Sequence, residues 1–468
     1  MVVHPSDTAT ERRLTDLELM AHLFRRTGFG ATRDELEAAL AQGYEATVEE
    51  LLHPDRMPPF EEDICYRYFL HMRESRFLEV AQDGWMFRIV STPRPFEEKI
   101  ALFWHNLFAT GQAKVNHGAA MAAQIAMFRE YGLGSFRTLL LKLSQDPAMI
   151  YWLDNQQNTK AVHNENFGRE LLELFSMGIG TYTEDDVKEC ARAFTGWSIK
   201  KGVPGPYPYG RYAWEFEFRP EEHDFGVKTF LGETGTFNGD DIIDIIVRQP
   251  ATAQFVARRL YQYFVSERPD QDAIDILAEA FRASLYDIRA TLRTLFLSDF
   301  FRKPNVYFAK IKSPAEHVAN ITRMVGDYQY PVFGSGELSM ESRYMGQDLM
   351  NPPSVEGWHT GKEWLDTGTL VQRINFAVDR VGDTSKPGIR RFVERIAALG
   401  DLSPAAFVDA CLDLIGPLDV APKTRAALID FASKGGPLQF ASADDKAAAG
   451  RVGEMLQTIV ATREFQLA

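Results

Sequence analysis

Two glutamates three residues apart, Glu170 and Glu173, stand beside an apolar stripe in the segment "HNENFGRELLELF". On a helix of about 3.6 residues per turn, they lie along the border of the face that carries Phe167 and Leu171. Mutual repulsion and partial burial raise the pKa of one of two such carboxyls. Because a general acid and a general base need different pKa values, the spacing predicts a catalytic carboxylate pair.

The same pair has a structural interpretation, in which an arginine from another helix, such as Arg192, neutralises the two carboxylates. Glu165 and Arg169 lie four residues apart on the opposite side of the helix, where they can form an ordinary surface ion pair. At this stage both interpretations of Glu170 and Glu173 stay open.

Polar and aromatic residues in three loop-linked segments are the candidates for substrate binding, because sites are usually built on loops held by a rigid scaffold. The asparagines of the "NEN" run would orient a substrate, and two tryptophans would stack on it, although a tryptophan at helical spacing is more often a core residue. We expect Asn164 also to cap its helix. The predicted substrate-binding set is Asn164, Asn166, Arg169, Trp197, His223, Asp224, Asn351, Glu356 and Trp358.

The ten histidines show no H-x-x-x-H, H-x-x-E-H or E-x-x-H spacing, so the sequence contains none of these metal signatures. His105 and His223 remain weak candidates for a metal site assembled from scattered residues. No Walker, G-x-G-x-x-G or G-x-S-x-G element is found, and the sequence leaves the cofactor unknown.

The elements that must position these residues are mostly helices. Capping-box spacings begin three of them, at Thr15, Thr32 and Ser313. A long helix is expected from 61 to 86, and "FEEKIALFWHNLF" predicts a buried helix. The segment "YAWEFEFRP" alternates like a strand, with "VKTFLG" as its expected partner. The fold prediction is therefore a large, mainly α, multi-helical protein with a small β-hairpin insertion.

Four regions are predicted along the chain. They are an N-terminal helical region over 14–200, a loop and β-hairpin insertion over 201–236, a second helical region over 237–380, and a C-terminal helical extension over 381–468. The loop "NPPSVEGW" belongs to the third region.

The charge and composition of the chain limit the classes of partner that it is expected to bind. The formal net charge is -14, with 65 acidic and 51 basic residues, which argues against nucleic acid because phosphate binding needs clustered basic residues. No uninterrupted apolar run has membrane-spanning length, and the start lacks a signal peptide, so we expect a cytoplasmic protein without a membrane partner. Export stays open for a chain that has lost a leader. Cys65, Cys190 and Cys411 are far apart and are expected to be small core residues.

Five segments, "AHLFRRTGFGAT", "EKIALFWHNLFATG", "NENFGRELLELFSMGIGTYTEDDVKECARAFTGW", "HDFGVKTFLG" and "MGQDLMNPPSVEGWHTGKEWL", together resemble the bacterial "domain of unknown function 1800" proteins. The likeness spans roughly residues 14 to 377. The resemblance implies a large helical protein. Members of the family are often encoded beside a sulfatase-like family, which could supply a partner. The resemblance implies no particular reaction. The family often has a second histidine at the position that Leu107 occupies in this chain. A metal or acid–base role shared by two neighbouring histidines is therefore less well supported here.

Three functional hypotheses follow. The first is an enzyme that acts on a polar, carbohydrate-like small molecule in an interhelical cleft, with Glu170 and Glu173 as acid and base. The second is a non-catalytic helical binding or scaffold protein, in which the polar residues form a buried network. The third is a metalloenzyme that uses His105, His223 and carboxylates.

Overall fold

The protein is described by a computed structural model, which covers residues 13–68, 78–200, 214–328, 330, 336–442 and 445–468. Across these residues, helices dominate and strands are few, so the predicted mainly α fold with a small β element is confirmed. The α-helices within these described ranges are α1 Asp16–Thr27, α2 Arg33–Gln42, α3 Tyr44–Leu52, α4 Glu62–Tyr68, α5 Leu78–Ser91, α6 Pro95–Leu107, α7 Gln112–Val115, α8 Gly118–Tyr131, α9 Phe136–Ser144, α10 Pro147–Trp152, α11 Asn166–Glu173, α12 Glu184–Ala193, α13 Gly239–Arg248, α14 Pro250–Phe264, α15 Gln271–Ala283, α16 Ile288–Leu297, α17 Asp299–Arg302, α18 Pro314–Val325, α19 Gly336–Tyr344, α20 Thr367–Val381, α21 Pro387–Ala397, α22 Pro404–Leu414, α23 Pro422–Ser433 and α24 Lys446–Val460.

Local sequence signals explain where many helices begin. Thr15, Thr32 and Ser313 each accept a hydrogen bond from the backbone N–H three residues later, and the glutamate at that position bonds back to the cap. The three predicted capping boxes are therefore confirmed, and each satisfies two backbone groups that a helix end leaves unpaired. Of the long helix expected over 61–86, α4 and the start of α5 are seen, and residues 69–77 lie outside the described part.

Helix α6 is the centre of the N-terminal half. Every side chain from Glu98 to His105 is buried, as its apolar sequence predicts. The Trp104 indole donates to the carbonyl of Gly132 at 2.9 Å. A side chain at Gly132 would come within 2.7 Å of that indole, so only glycine allows this close approach.

The β element differs from the predicted hairpin. Strand β1 (Trp197–Ile199) pairs antiparallel with β2 (Phe216–Phe218), and β3 (Lys228–Phe230) pairs antiparallel with β4 (Glu233–Gly235). The predicted pairing of the "YAWEFEFRP" and "VKTFLG" segments is therefore wrong. Leu231 and Gly232 both have positive φ, which makes the two-residue turn that folds β3 back onto β4.

The four predicted regions stay a prediction, but side chains connect them. Arg33 on α2 pairs with Asp413 on α22 at 2.7 Å. Lys99 on α6 forms an ion pair with Glu316 on α18. Both contacts join segments that are hundreds of residues apart in the chain.

The C-terminal segment 464–468 returns to the segment that precedes α18. The Lys312 N–H donates to the Gln466 carbonyl at 3.0 Å, and the Ala468 N–H donates to the Lys310 carbonyl at 2.8 Å. Between these bonds, Ile311 and Leu467 form an antiparallel bridge. The end of α24 is thereby fixed against the centre of the molecule.

Two further sequence predictions can be checked. Cys190 and Cys411 are free and buried, as expected for small core residues, and the Cys65 side chain lies outside the described part. Over the described ranges, none of the helices combines the length and apolarity that crossing a membrane requires.

Candidate functional site

The "NEN" run, residues 164–166, leads into α11 and is held by hydrogen bonds between side chains and backbone groups. Asn164 Oδ1 accepts from the Asn166 N–H at 3.0 Å, the bond that the sequence predicts, although Glu165 and not Asn164 is the residue directly before α11. Asn164 N–H donates to Asn158 Oδ1 at 3.0 Å, and Asn166 Nδ2 donates to the Leu153 carbonyl at 3.2 Å. Both asparagine side chains are therefore engaged in fixing the chain.

Arg169 also has protein partners. Its guanidinium forms a two-bond contact with the Glu184 carboxylate at 2.9 and 2.7 Å, and it lies 3.5 Å from Glu165. The predicted Glu165–Arg169 pair is confirmed. The added bond to Glu184 connects α11 to the first turn of α12, so Arg169 holds the two helices together.

The charge of Glu173 acts on Glu170, as their spacing predicts. Burial and the neighbouring charge of Glu173 raise the pKa of Glu170, and Glu356 from the "NPPSVEGW" loop adds a third negative charge. Glu173 accepts a hydrogen bond of 2.9 Å from the Tyr182 hydroxyl. Among the described residues, no arginine lies within ion-pair distance of Glu170. We call Glu170, Glu173 and Glu356 the acidic trio.

Arg192 does not neutralise the trio, so that structural interpretation is corrected. Its Nε donates to Asp224 Oδ2 at 2.8 Å, and its Nη1 lies 2.7 Å from Glu189. The Arg192 contact and the Gly226 N–H lower the pKa of Asp224 to about 2, with Arg192 as the larger cause. Asp224 is thus a paired carboxylate, and its role as a substrate ligand stays a prediction.

His223 is buried against the end of α12. Its Nδ1 lies 2.8 Å from the Thr195 carbonyl, and burial lowers its pKa. Its ring packs against Phe218 and Phe225. The predicted substrate contact is corrected to a loop-fixing role.

Trp197 is likewise a core residue. Its side chain is 3 % exposed, its Nε1 donates to Asn238 Oδ1 at 2.9 Å, and its ring packs against Phe194 and Phe216. The predicted stacking on a ligand has to be corrected, because both faces of the indole are enclosed by the protein. Trp197 thus has the commoner role of a tryptophan at helical spacing, which is to pack in the core.

The "NPPSVEGW" loop packs on the end of α6. Asn351 Oδ1 accepts from the Ala113 N–H at 3.0 Å, so Asn351 has a structural role. The Trp358 ring is buried and meets the His105 ring edge-on at 5.1 Å. The expected stacking of Trp358 on a ligand is corrected to loop packing, because its ring is buried, and the expected ligand role of the half-buried Asn351 stays a prediction.

The two histidines proposed for a metal do not converge. His105 is fully buried among aromatic rings, and burial lowers its pKa to about 3. His223 has the separate surroundings given above. In the part of the chain that the structure describes, no three His, Cys, Asp or Glu side chains are grouped as a metal site requires.

Four cavities between the described residues have linings that do not include Glu170 or Glu173. The interhelical cleft beside the "NEN" helix therefore stays a prediction. Two of the cavities instead meet near a group of buried cations that the sequence analysis did not identify.

Five cationic side chains are buried near α1, α6 and α18, and we call them the cationic cluster. Among the described residues, the only carboxylate within ion-pair distance of any of them is Glu316, which pairs with Lys99. Because a buried charge without a counterion is costly, this excess of positive charge is unusual in a protein of net charge -14. The cationic cluster comprises Arg25, Arg26, Lys99, Lys312 and Arg373.

Backbone carbonyls and neutral side chains satisfy part of the cluster. Arg26 donates to the Val306 carbonyl at 2.8 Å, and Lys312 donates to the Phe465 carbonyl at 2.9 Å and to Asn320 Oδ1 at 3.1 Å. Burial lowers the pKa of both Arg26 and Lys312. These acceptors are uncharged, so they do not neutralise the positive charge of the cationic cluster.

Arg25 is, together with Arg26, one of the two least satisfied members, and of these two it is the one that lines a cavity. Its Nη1 donates to the Gly416 carbonyl at 3.1 Å, and its guanidinium lies over the Phe308 ring at 4.2 Å. Its Nε and Nη2 are buried without a partner. Arg25 and Lys312 both line a small cavity of about 30 Å³, which we call the inner cavity.

The inner cavity continues into a larger groove. Gly30, Ala31, Asn320 and Ile415 line both spaces. The groove has a volume of about 450 Å³, which falls in the range of small-ligand sites. Its floor and rim carry hydrogen-bonding side chains, including Arg33, Thr32, Ser91, Thr322, Arg323, Tyr328, Arg391 and Arg395.

Most groove arginines are engaged with acidic residues. Arg395 contacts Asp34 and Glu37, and Arg323 lies 3.3 Å from Glu35. Arg391 is exposed at the groove and forms no ion pair with any described residue. It is therefore the groove arginine best able to meet an anionic ligand.

The sequence contained one signal for this site. Arg25 and Arg26 lie in the last turn of α1, and their burial is visible only once α1 packs on α6 and on residues 306–312. The lysines come from α6 and from the segment before α18, so their convergence needed the tertiary structure.

These features define a mainly helical protein with a ligand-sized, arginine-lined groove that leads to buried cations. The chain belongs to the DUF1800 family of proteins of unknown function, whose model matches residues 22–467. Comparison with curated proteins finds no match, and comparison with solved structures finds none either.

Proposed function

We propose that the protein binds a small organic anion with a polar body, such as a sugar acid, in the groove and the inner cavity. The observation that carries this proposal is Arg25, a buried guanidinium with two unpartnered nitrogens in a cavity that also contains Lys312. An acidic group there would accept charge-assisted hydrogen bonds and reduce the excess positive charge. The polar body would lie in the groove among hydroxyl, amide and guanidinium groups.

The size of the two spaces limits the ligand. About 30 Å³ accommodates a carboxylate-sized group and little more, whereas about 450 Å³ accommodates a monosaccharide-sized body. A ligand with its charge at one end therefore fits better than a polyanion. This proposal replaces the acidic trio as the ligand site and keeps the polar substrate class.

The test is isothermal titration calorimetry with glucuronate, with glucose as its uncharged match, and with acetate and sulfate as minimal anions. We expect glucuronate to bind and glucose not to bind. Arg391→Gln should weaken glucuronate binding about tenfold, because one hydrogen bond to a charged group is lost. Lys312→Gln should remove binding.

Arg248→Gln is the matched control, because Arg248 is a surface arginine in a different depression and pairs with Glu233. Its affinity for glucuronate should equal that of the unchanged protein. The proposal is overturned if none of the anions binds, or if Arg391→Gln and Arg248→Gln have the same affinity. Arg391 is exposed, so its variant should fold even if the Lys312 variant does not.

A second candidate is proton transfer by the acidic trio on a polar substrate, as in a hydrolase. It is supported by Glu170, a half-buried carboxylate whose pKa is raised by burial and by Glu173. A saccharide turnover screen of the unchanged protein, Glu170→Gln and Glu173→Gln tests it. Loss of turnover in the glutamine variants at unchanged stability supports it, and full turnover in both excludes it.

A further inference from the structure

A third cavity lies beneath the segment 347–364, apart from the groove. It has a volume of about 50 Å³, and its polar lining comes from α6, α14 and the segment before α18. Lys310, Tyr263, Glu267 and Gln347 are among the residues that line it. By the size of a water molecule, the cavity holds a molecule of a few atoms and excludes a sugar.

Lys310 is an amine without a counterion. Its Nζ donates to the Gln262 carbonyl at 2.7 Å and lies 5.5 Å from the centre of the Tyr263 ring. Within the described residues, no carboxylate lies within ion-pair distance of it. The surrounding charges are Arg26 and Lys99, which disfavour an ammonium ion, and Glu316 and Glu267, which favour it.

Burial is the largest of these effects, followed by Arg26, and together they lower the pKa of Lys310 to about 8. A substantial part of the side chain is therefore the neutral amine slightly above neutral pH. A neutral amine is a nucleophile, and the ordinary lysine ammonium is not.

Tyr263 supplies a donor in the same cavity. Its hydroxyl oxygen is buried and has no hydrogen-bond partner. Burial raises its pKa, so it stays a protonated phenol. Gln347 Oε1 already accepts from the Ala315 N–H at 2.9 Å, which leaves its NH₂ group as a second donor.

We propose that Lys310 reacts reversibly with carbon dioxide in this cavity and forms a carbamate. The neutral Nζ attacks the carbon of CO₂, one C=O electron pair moves to oxygen, and one amine proton is released to solvent. The products are Nζ–H–COO⁻ and a proton, so no oxidant or further reactant is needed. The remaining N–H still donates to Gln262.

Two nearby cations and two hydrogen-bond donors favour this product. The reaction replaces a positive or neutral group by a negative one, which Arg26 and Lys99 stabilise, whereas Glu267 and Glu316, which line the cavity, oppose it. Tyr263 and Gln347 can donate to the new carboxylate oxygens. A carbonyl compound of sugar size is excluded by the cavity volume, whereas CO₂ has three atoms.

The test is ¹³C NMR of the full chain in ¹³C-labelled bicarbonate and CO₂ at about pH 8. We expect a carbamate resonance that is lost in Lys310→Arg and retained in Lys188→Arg. Lys188 is an exposed lysine on α12, so its variant removes an ordinary amine. Tyr263→Phe should lower the CO₂ affinity several-fold.

Chemical trapping supplies a second measurement on the unchanged protein. Carbamates are alkylated with triethyloxonium, the protein is digested, and the peptides with Lys310 and Lys188 are compared by mass spectrometry. Modification at Lys310 at least tenfold above that at Lys188 is the expected result. Equal modification of the two lysines, or none at Lys310, overturns the proposal even if Lys310→Arg does not fold.

Discussion

Trp85 Nε1 donates a hydrogen bond of 2.8 Å to Glu98 Oε2, which connects α5 to α6 at a point without solvent access. The same carboxylate lies 2.8 Å from Arg129 Nε on α8 and is also bonded by Arg88. One buried carboxylate therefore joins three helices of the N-terminal half.

Glu98→Gln should strongly destabilise the protein, because it removes the buried carboxylate that the half-buried Arg88 and Arg129 share and leaves Arg88 with Glu62 as its partner. We expect a loss of about 3 to 5 kcal/mol in the free energy of unfolding, measured by urea denaturation. Glu97→Gln on the same helix removes only a contact of 3.4 Å to Arg94 and should cost less than about 1 kcal/mol. Equal losses in the two variants would show that the network contributes little.

Gly357→Ala should disrupt the loop on α6. Gly357 has φ of 93°, and a Cβ there would lie 2.3 Å from the Asn106 carbonyl oxygen. Gly400 also has positive φ, at 77°, but a Cβ there meets no atom within 4 Å. Gly400→Ala should therefore cost about 1 kcal/mol from strain alone, and Gly357→Ala clearly more. Thermal unfolding of both variants measures the difference, and equal melting temperatures would contradict the predicted clash.

Asp146 should make stability fall as pH rises. Its Oδ1 accepts from Gln124 Nε2 at 2.7 Å and from the Met149 N–H at 2.8 Å, and burial raises its pKa from 3.8 to about 7. At pH values between these two pKa values, Asp146 is ionised in the unfolded chain but protonated in the folded protein. Raising the pH through this range therefore favours unfolding.

Asp146→Asn removes this titration and keeps the capping oxygen. Between pH 5 and pH 7.5, the unchanged protein should lose about 2.5 kcal/mol of stability relative to the variant, by the energy of one pKa unit. Urea denaturation of both proteins at the two pH values measures the change. A difference that is the same at both pH values would refute it.

Glu170→Gln separates the scaffold hypothesis from the others. A buried polar network predicts a loss of a few kcal/mol, but the Glu170 carboxylate has no ion-pair partner in the described part of the chain and is repelled by its neighbours. We expect a change in the free energy of unfolding within about 0.5 kcal/mol at pH 7. A loss above 2 kcal/mol would favour the scaffold hypothesis.

The helical signals in the sequence were sufficient for the fold class. The capping boxes at Thr15, Thr32 and Ser313 and the apolar α6 segment are local properties of a helix, and the structure confirms them. Strand pairing is not local. β2 pairs with residues 197–199 because Gly196, with positive φ, brings its carbonyl within 2.8 Å of the Arg219 N–H.

The site was harder to predict for a related reason. A polar run such as "NEN" is visible in the sequence, but the partners that engage Asn166, Arg169 and Asp224 come from other segments. The cationic cluster could not be predicted for a different reason. Each of its members is an ordinary basic residue in the sequence, and only packing shows that they are buried together.

The return of residues 464–468 to Lys310 and Lys312 has a consequence for biosynthesis. Helix α1 leaves the ribosome early, yet the backbone carbonyl that accepts from Lys312 and the ring that covers it belong to Phe465. Until that residue is translated, the lysine has to remain hydrated. In the nascent chain, Lys312 therefore appears well before the residue that covers it, and the structure around this lysine cannot be completed until Phe465 has been made.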